Sequence, residues 1–277
     1  MSIFQAVVLG IVQGLTEFLP VSSTGHLIIF PLLLKWPLPP LVFDTTLHLA
    51  TATSLIVFFY KDLVELARAL VGDLVKNNFR FKNYSPKSLT GLAIVVGCIP
   101  AGVLGFLAGD FIENIFRSMV WVAVFLILGS VLIYIAERFA LVHKNSQLAE
   151  QVSPKKGFFI GLFQSIALLP GISRSGSTIS GGLFFGLDRQ SAVKFSFLLS
   201  IPIVLVAGLS QLVFSFDKME ALPPMAIVAG FISGFVSGLF AIKFLLGFVK
   251  TNSFKVFIIY RVLLAIFLLI SFYTTVL

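Results

Sequence analysis

Six long apolar runs constrain this chain more than any other feature of its sequence. They cover roughly residues 43–60, 89–109, 118–136, 195–214, 225–247 and 256–276. A helix needs about 20 apolar residues to cross the hydrocarbon core of a bilayer, and each run is close to that length. Charged residues make up only 12% of the 277 residues, too few to cover the surface of a soluble domain. The sequence therefore predicts a polytopic, all-α membrane protein.

Lysine and arginine residues cluster in alternate loops between the predicted spans. The loops at 61–88 and 137–157 are basic, whereas the opposite loops contain only Lys35, Arg117 and Lys218. Cytoplasmic loops of membrane proteins carry the excess of positive charge. We therefore expect both termini on the outer side of the membrane, and we interpret the positive charge as a topology signal and not as a nucleic-acid interface.

Two further apolar regions are interrupted by short polar turns. Residues 2–19 break at Pro20 and resume as 27–34, and residues 158–169 break at Pro170-Gly171 and resume as 176–187. Runs of about 10–14 residues are too short to span a bilayer. We interpret each region as a re-entrant hairpin of two half-helices, which is tolerated at membrane depth only inside protein or beside a water-filled cavity.

The two hairpin regions also resemble each other. One constant shift aligns Gly10 with Gly161, Gln13 with Gln164, Ser22 with Ser173 and Gly25 with Gly176. Three predicted spans follow each hairpin, and an odd number of spans turns the second copy upside down relative to the first. The sequence thus predicts an inverted repeat of a hairpin plus three transmembrane helices, with repeat one at 1–138, repeat two at 155–277 and a cytoplasmic linker at 139–154.

The turn of the second hairpin carries a polar cluster that suits an anion. Ser173 and Ser175 flank Arg174, and serine favours helix N-termini, where free N–H groups and the positive end of the dipole meet. Arg174 adds a planar fork of donors suited to phosphate oxygens. Gly171 and Gly176 permit close approach of the backbone. Because an inverted repeat can bring both hairpin tips together, the cluster predicts a phosphate or diphosphate site inside the membrane.

The first hairpin supplies the reactive side chains. Gln13 and Glu17 are four residues apart and share a helix face, and His26 lies nine residues further on. Between them is a cluster of hydroxyl side chains at Ser22, Ser23 and Thr24. These groups offer an acid, a base and a nucleophile for phosphoryl transfer, and the nucleophile is open between His26, Ser23 and water. The oxygens of Glu17 and Gln13 also suit a divalent cation, Mg²⁺ or Ca²⁺.

Each of these features also has a structural interpretation. Arg174 and Glu17 could form a mutually neutralising pair, although an ionisable residue inside a membrane is a functional candidate by default. Asp44 and His48 share a helix face and are either interface residues or part of the substrate path. The small-residue run at 230–238 packs helices either within the chain or across a homodimer.

Two segments resemble the signatures of a known family. QGLTEFLPVSSTGH (13–26) and PGISRSGST (170–178) are similar to the two signature regions of the bacterial undecaprenyl-diphosphate phosphatases, also called bacitracin-resistance proteins. The first signature is met at Gln13 and Glu17. The second is met at Pro170, Gly171, Ser173, Arg174, Ser175 and Thr178. The resemblance implies a hydrolase of the bacterial cytoplasmic membrane that converts undecaprenyl diphosphate to undecaprenyl phosphate with a divalent cation, at a site open to the outer side.

Residues and resemblance together assign roles at the two tips. The predicted catalytic residues are Glu17, Ser23, His26 and Arg174. The predicted substrate contacts are Gln13, Ser22, Thr24, Gly171, Ser173, Ser175, Gly176 and Thr178. The alternative is a transporter or flippase of an anionic lipid or anion, because inverted repeats with broken helices are also a transporter architecture. A phosphatase of the other lipid-phosphatase superfamily is disfavoured, since no histidine follows Arg174.

Overall fold

The computed structural model describes residues 1–116, 118–144, 146–214 and 222–276. In these residues the chain folds into eleven α-helices and two 3₁₀ turns, without a β-strand. The helices are α1 (Ile3–Phe18), α2 (Ser23–Leu33), α3 (Leu41–Phe58), α4 (Tyr60–Asn77), α5 (Pro86–Phe116), α6 (Met119–Val142), α7 (Pro154–Ile166), α8 (Arg174–Phe184), α9 (Arg189–Phe214), α10 (Pro224–Phe248) and α11 (Lys255–Val276). Arg117 and Lys218, which contributed to the predicted topology, lie outside the described residues.

Six of the described helices are long and apolar enough to cross a membrane, namely α3, α5, α6, α9, α10 and α11. The six predicted spans are thereby confirmed. Their ends differ most in α5 and α6, which continue to Phe116 and Val142, past the predicted ends at 109 and 136. Charged residues end an apolar run, but they do not end a helix, because the backbone hydrogen bonds continue into water.

The two interrupted regions fold as helix–turn–helix hairpins, α1 with α2 and α7 with α8. The second helix of each hairpin has 11 residues and begins after a serine with positive φ, Ser22 at 71° and Ser173 at 75°. Positive φ is uncommon for residues other than glycine. The shared conformation at aligned positions agrees with the alignment of the two hairpins. The depth of each hairpin in the membrane, and the side from which it enters, stay predictions.

Glycines let the first helix of each hairpin cross a membrane-spanning helix closely. A Cβ on Gly10 of α1 would overlap Ser233 Oγ of α10 and lie 2.5 Å from the carbonyl oxygen of Gly230. In the same way, a Cβ on Gly161 of α7 would overlap the backbone of Gly97 in α5. The small residues at 230–238 are therefore used for packing within the chain, and a homodimer stays a prediction.

Gly10→Ala is expected to lower the free energy of unfolding by about 1–3 kcal/mol, because the added methyl group overpacks the crossing of α1 and α10. Thermal unfolding in detergent would measure the change. Gly247→Ala is the matched control, since no atom lies within 4 Å of a Cβ at that position of α10. An unchanged melting temperature in Gly10→Ala would contradict the tight crossing.

An aromatic and aliphatic core supports the hairpin tips from behind. Phe18, at the end of α1, is fully buried and meets Phe197 of α9 edge to face, with ring centroids 5.4 Å apart. Ile179 and Leu183 of α8 pack into the same cluster. Edge-to-face pairs of buried rings add to the stabilisation from area burial. The core therefore fixes the end of α1 and the body of α8, from which the polar residues project.

Candidate active site

The tips of the two hairpins are in direct contact. Arg174, the first residue of α8, donates from Nη2 to Glu17 Oε1 over 2.8 Å. Ser175 Oγ donates to the carbonyl oxygen of Leu19, in the turn after α1, over 3.3 Å. The fold thus brings together side chains from separate hairpins, as the sequence analysis required for an anion site.

The Glu17 carboxylate lies at the centre of this contact and is almost completely buried. Its Oε2 accepts hydrogen bonds from Ser23 Oγ over 2.8 Å and from Gln13 Nε2 over 3.0 Å. Together with the bond from Arg174, both carboxylate oxygens have donors. Charge-assisted bonds of this kind are about twice as strong as neutral ones, so the carboxylate holds residues from both hairpins in place.

His48 of α3 also belongs to the site. Its Nδ1 is 3.1 Å from Gln13 Nε2 and 3.6 Å from Glu17 Oε2. Gln13 must turn its amide N–H groups toward the carboxylate, so the same nitrogen donates to His48 and the imidazole accepts at Nδ1. The His48 side chain is 38% exposed and that of Glu17 only 6%, so His48 connects the buried Glu17 cluster with the surface of the protein. His48 thus contacts the Glu17 cluster, and its place in a substrate path stays a prediction.

Several buried polar atoms in the two hairpins have no hydrogen-bond partner among the described residues. Arg174 Nη1 and Gln13 Oε1 are two of them and belong to the side chains that bond to Glu17, and the others are both amide atoms of Gln164 in α7. More than nine in ten buried polar groups are paired in proteins, so an unpaired atom requires an explanation. A donor and an acceptor left open on either side of one carboxylate are suited to a phosphoryl oxygen and to a cation or water, respectively.

The N-terminus of α8 is prepared for an anion. Ser173 Oγ accepts from the N–H of Gly176 over 3.2 Å and lies 3.2 Å from Ser175 Oγ. The first backbone bond of α8 runs from the N–H of Ser177 to the carbonyl oxygen of Ser173, so the N–H groups of Arg174 and Ser175 have no acceptor inside the helix. At α2, the Ser22 side chain makes no such cap, and Ser23 and Thr24 are half-buried in the first turn.

Two predicted substrate contacts also have packing roles. Gly171 has φ 112°, and a Cβ there would lie 2.5 Å from the carbonyl oxygen of Val122, so the glycine permits a close approach to α6. Thr178 Oγ1 donates to the carbonyl oxygen of Arg174 over 2.8 Å and is 2.5 Å from Ser196 Oγ of α9. Its hydroxyl lies one turn into α8 and connects this helix to α9.

His26 is not in hydrogen-bond contact with Glu17 or Ser23, contrary to the grouping that its spacing indicated. Its Nδ1 lies 2.7 Å from the carbonyl oxygen of Ser22, and its Nε2 lies 2.6 Å from the hydroxyl of Tyr260. A carbonyl only accepts, so the ring proton is on Nδ1 and Nε2 accepts from Tyr260. The two rings are also stacked, with an interplanar angle of 6°. His26 is therefore anchored to α11.

Arg261 of α11 is the residue that sequence analysis missed. It is fully buried and donates to the backbone of both hairpin turns and of α6. Its partners are the Ser130 hydroxyl and the carbonyl oxygens of Pro20, Leu126, Gly171 and Ile172. The signal was present as a single arginine inside the apolar run 256–276, because charge inside a membrane span is rare and usually functional. A search for polar clusters passes over such an isolated residue.

The oxygen donors at the tips fit a divalent cation only in part. Among the described residues, no three His, Cys, Asp or Glu side chains are close enough to hold a metal ion. Glu17 and the unpaired Oε1 of Gln13 are hard oxygen donors of the type that Mg²⁺ and Ca²⁺ prefer. Mg²⁺ commonly completes its coordination with water and substrate phosphates. The residues therefore fit a cation shared with a diphosphate and not one enclosed by protein.

Comparisons with known proteins cover nearly the whole chain. The family profile described as "Bacitracin resistance protein BacA" matches residues 6–267. The undecaprenyl-diphosphatase of Chloroherpeton thalassium is 43% identical over 97% of this chain and 96% of its own length. Those of Thermomicrobium roseum and Methanosphaera stadtmanae are each 38% identical over 98% of both chains. The match includes both hairpins and reaches into the last membrane-spanning helix.

Proposed function

The chain belongs to the bacitracin resistance protein BacA family, and on this premise we propose that it is an undecaprenyl-diphosphatase. It removes the terminal phosphate of undecaprenyl diphosphate and leaves undecaprenyl phosphate, the lipid carrier of cell-wall synthesis. One observation carries the assignment to the hairpin tips. Arg174 is bonded to a buried carboxylate through Nη2 while Nη1 has no partner among the described residues. The names of the relatives do not favour the transporter alternative.

Arg174 and the start of α8 bind the phosphoryl group in this proposal. The free Nη1 and the N–H groups of Arg174 and Ser175 are donors at the positive end of a helix dipole. Donors fixed in place before the reaction stabilise the charge that develops on the phosphoryl oxygens in the transition state. A divalent cation held by Glu17 and Gln13 would add further neutralisation of the diphosphate when bound.

Ser23 is the nucleophile that the geometry supports best. Its hydroxyl already donates to Glu17 Oε2 over 2.8 Å, so the carboxylate is in position to accept the proton as Ser23 Oγ bonds to the terminal phosphorus. Undecaprenyl phosphate leaves as the P–O bond of the anhydride breaks, and water then hydrolyses the phosphoserine. His26 is a weaker candidate, because both of its ring nitrogens are engaged.

Phosphate release from undecaprenyl diphosphate by the detergent-purified protein tests the function, because no gradient exists there and a transporter would release none. An acid quench during turnover is expected to trap phosphate on Ser23, and Ser23→Ala is expected to abolish both the trapped species and turnover. Absence of phosphate release would overturn the proposed function. Turnover of Ser23→Ala in ¹⁸O water, with the label in the phosphate, would instead identify water as the nucleophile.

Removal of divalent cations is expected to abolish hydrolysis, and Mg²⁺ or Ca²⁺ to restore it. Gln13→Leu removes the unpaired Oε1 and is expected to raise the cation concentration needed for half-maximal activity by about tenfold or more. Titration of phosphate release with each cation measures this. Gln164→Leu is the control, because Gln164 is also a buried amide with unpaired atoms but belongs to the other hairpin, whereas Gln13 bonds to Glu17. An equal cation requirement in both variants would exclude Gln13 as a ligand.

The orientation of the protein belongs to the same proposal. The positive loops at 61–88 and 137–157 support a cytoplasmic side that leaves both termini and the site at the outer side. The aligned serines with positive φ support a division into repeats at 1–138 and 155–277. The prenyl tail would lie among the spans, with the diphosphate at the tips.

A further inference from the structure

Arg261 connects the two hairpin turns at the points where their second helices begin. Its guanidinium donates to the carbonyl oxygen of Pro20 over 3.2 Å, two residues before the N-cap of α2. It also donates to the carbonyl oxygens of Gly171 and Ile172 over 3.1 and 3.0 Å, directly before the N-cap of α8. One side chain therefore fixes the backbone on both sides of the contact between Arg174 and Glu17.

The bond to Ile172 determines where the next peptide N–H points. The described residues contain no cis peptide bond, and in a trans peptide the N–H points away from the C=O. Since the carbonyl of Ile172 points toward Arg261, the N–H of Ser173 points to the opposite side. Ser173 follows with φ 75°, a conformation that persists only when its surroundings hold it. Arg261 supplies that restraint from the carbonyls of the two preceding residues.

Arg261 also contributes positive charge that is not neutralised nearby. Its hydrogen-bond partners are carbonyl oxygens and one hydroxyl, and it takes part in none of the ion pairs found among the described residues. The charge of Arg174, by contrast, is balanced by Glu17 at 2.8 Å. The uncompensated charge beside the tips therefore comes from Arg261, and electrostatic attraction is strong where water is excluded.

The helix that faces Arg261 is shaped to admit its side chain. A Cβ on Gly129 of α6 would overlap Nη2 of Arg261 and lie 2.6 Å from the carbonyl oxygen of Ile172. Gly129 thus leaves room for this hydrogen bond in particular. A methyl group at position 129 would displace the guanidinium or the carbonyl but would leave the positive charge of Arg261 in place. Gly129→Ala therefore tests the geometry of the contact independently of its charge.

We propose that Arg261 is a positioning residue for the diphosphate site. It holds both hairpin turns so that the N–H of Ser173 joins the donors that bind phosphate, and it adds net positive charge beside those donors. The inference rests on the proposed function, because it concerns how the same site binds its diphosphate. Arg261 does not itself touch the substrate, and it acts through the peptide groups of residues 171–173.

The test uses the full chain in detergent, with Arg261→Lys and Gly129→Ala as the two variants. Gly109→Ala is the matched control, since no atom lies within 4 Å of a Cβ there. Both variants are expected to lose a factor of about 10² in kcat/KM for undecaprenyl diphosphate, as on removal of one oxyanion donor. The second measurement is hydrogen–deuterium exchange with inorganic diphosphate as the probe. Binding of diphosphate should slow exchange at Ser173–Ser175 in the wild type and in the control, but not in the two variants.

Wild-type kcat/KM in either variant, or diphosphate protection of Ser173 that survives in both, would overturn the proposal. A fall in melting temperature with faster exchange in all helices would also overturn it, because Arg261 would then serve folding alone. Failure of the proposed function has a different signature. The wild type would release no phosphate, while the loss of diphosphate protection in the variants could still be observed.

Discussion

Arg174→Gln is expected to lower kcat/KM for undecaprenyl diphosphate by about 10³-fold or more, the range found when an arginine that stabilises phosphoryl transfer is lost. The substitution removes the unpaired Nη1 and the positive charge at the first residue of α8. Glutamine keeps a polar side chain at this position but ends two bonds short of the Nη2 atom that bonds to Glu17, so it removes the ion pair as well. Steady-state phosphate release over a range of substrate concentrations gives kcat and KM separately.

A folding defect must be separated from this loss, because Glu17 would remain buried without its cationic partner. Breaking one side of a buried ion pair destabilises proteins by about 3–5 kcal/mol. The double variant Glu17→Gln with Arg174→Gln removes both charges, and we expect it to recover melting temperature but not activity. Arg68→Gln, at an exposed position of α4, is the control for loss of an arginine. Hydrolysis at the wild-type rate in Arg174→Gln would refute the site.

Glu17→Gln is expected to reduce kcat by about 10³-fold, within the range for loss of a general base. The amide has nearly the same shape, and its single oxygen can still accept a hydrogen bond from Ser23 or from Arg174, which donate to different oxygens of the native carboxylate. It cannot take the proton from the Ser23 hydroxyl, which lies 2.8 Å from Oε2 in the native protein. The acid quench described for Ser23 should therefore trap no phosphoserine in this variant. Single-turnover kinetics distinguishes a slow first step from slow release.

Glu65→Gln provides the comparison for this change. Glu65 forms an ion pair with Lys87 at 2.6 Å, and its side chain is exposed. Neither residue belongs to a hairpin. Loss of the charge there should leave phosphate release unchanged, because exposed ion pairs contribute little. If both glutamate variants kept wild-type kcat, Glu17 would have a structural function and the base would have to be sought elsewhere.

Hydropathy and proline positions were sufficient to predict the spans and the hairpins. Pro20 and Pro170 mark the two turns, and Ser22 and Ser173 begin the second helices with matching backbone conformations. Helix ends were predicted less well, as at α5, because hydropathy reports the preference for lipid while helices are held by backbone hydrogen bonds. The pairing of α1 with α10 could not be predicted, because small residues permit close packing but do not select the partner.

At the site, helix spacing and the repeat predicted the contacts of Glu17, whereas contacts with the last helix, α11, were not predicted. Gln13 and Glu17 share a helix face, as their spacing indicated, and Arg174 meets Glu17 as the repeat implied. His26 was expected beside Glu17, but Tyr260 binds its ring from a helix more than two hundred residues away. Arg261 was missed for the same reason, since its carbonyl partners carry no side-chain signal in the sequence.

The bond from Arg261 to Pro20 joins positions 241 residues apart, which has a consequence for biosynthesis. Ribosomes synthesise the amino-terminal hairpin first, so its turn cannot form the bond to Arg261 until α11 has been synthesised and inserted. An unfinished polypeptide would contain Glu17 and Ser23 but not the Arg261 hydrogen bonds that hold the two hairpin turns. Given the role proposed for Arg261, a chain that lacks α11 is expected to be inactive, so hydrolysis would begin only after the last helix is in place.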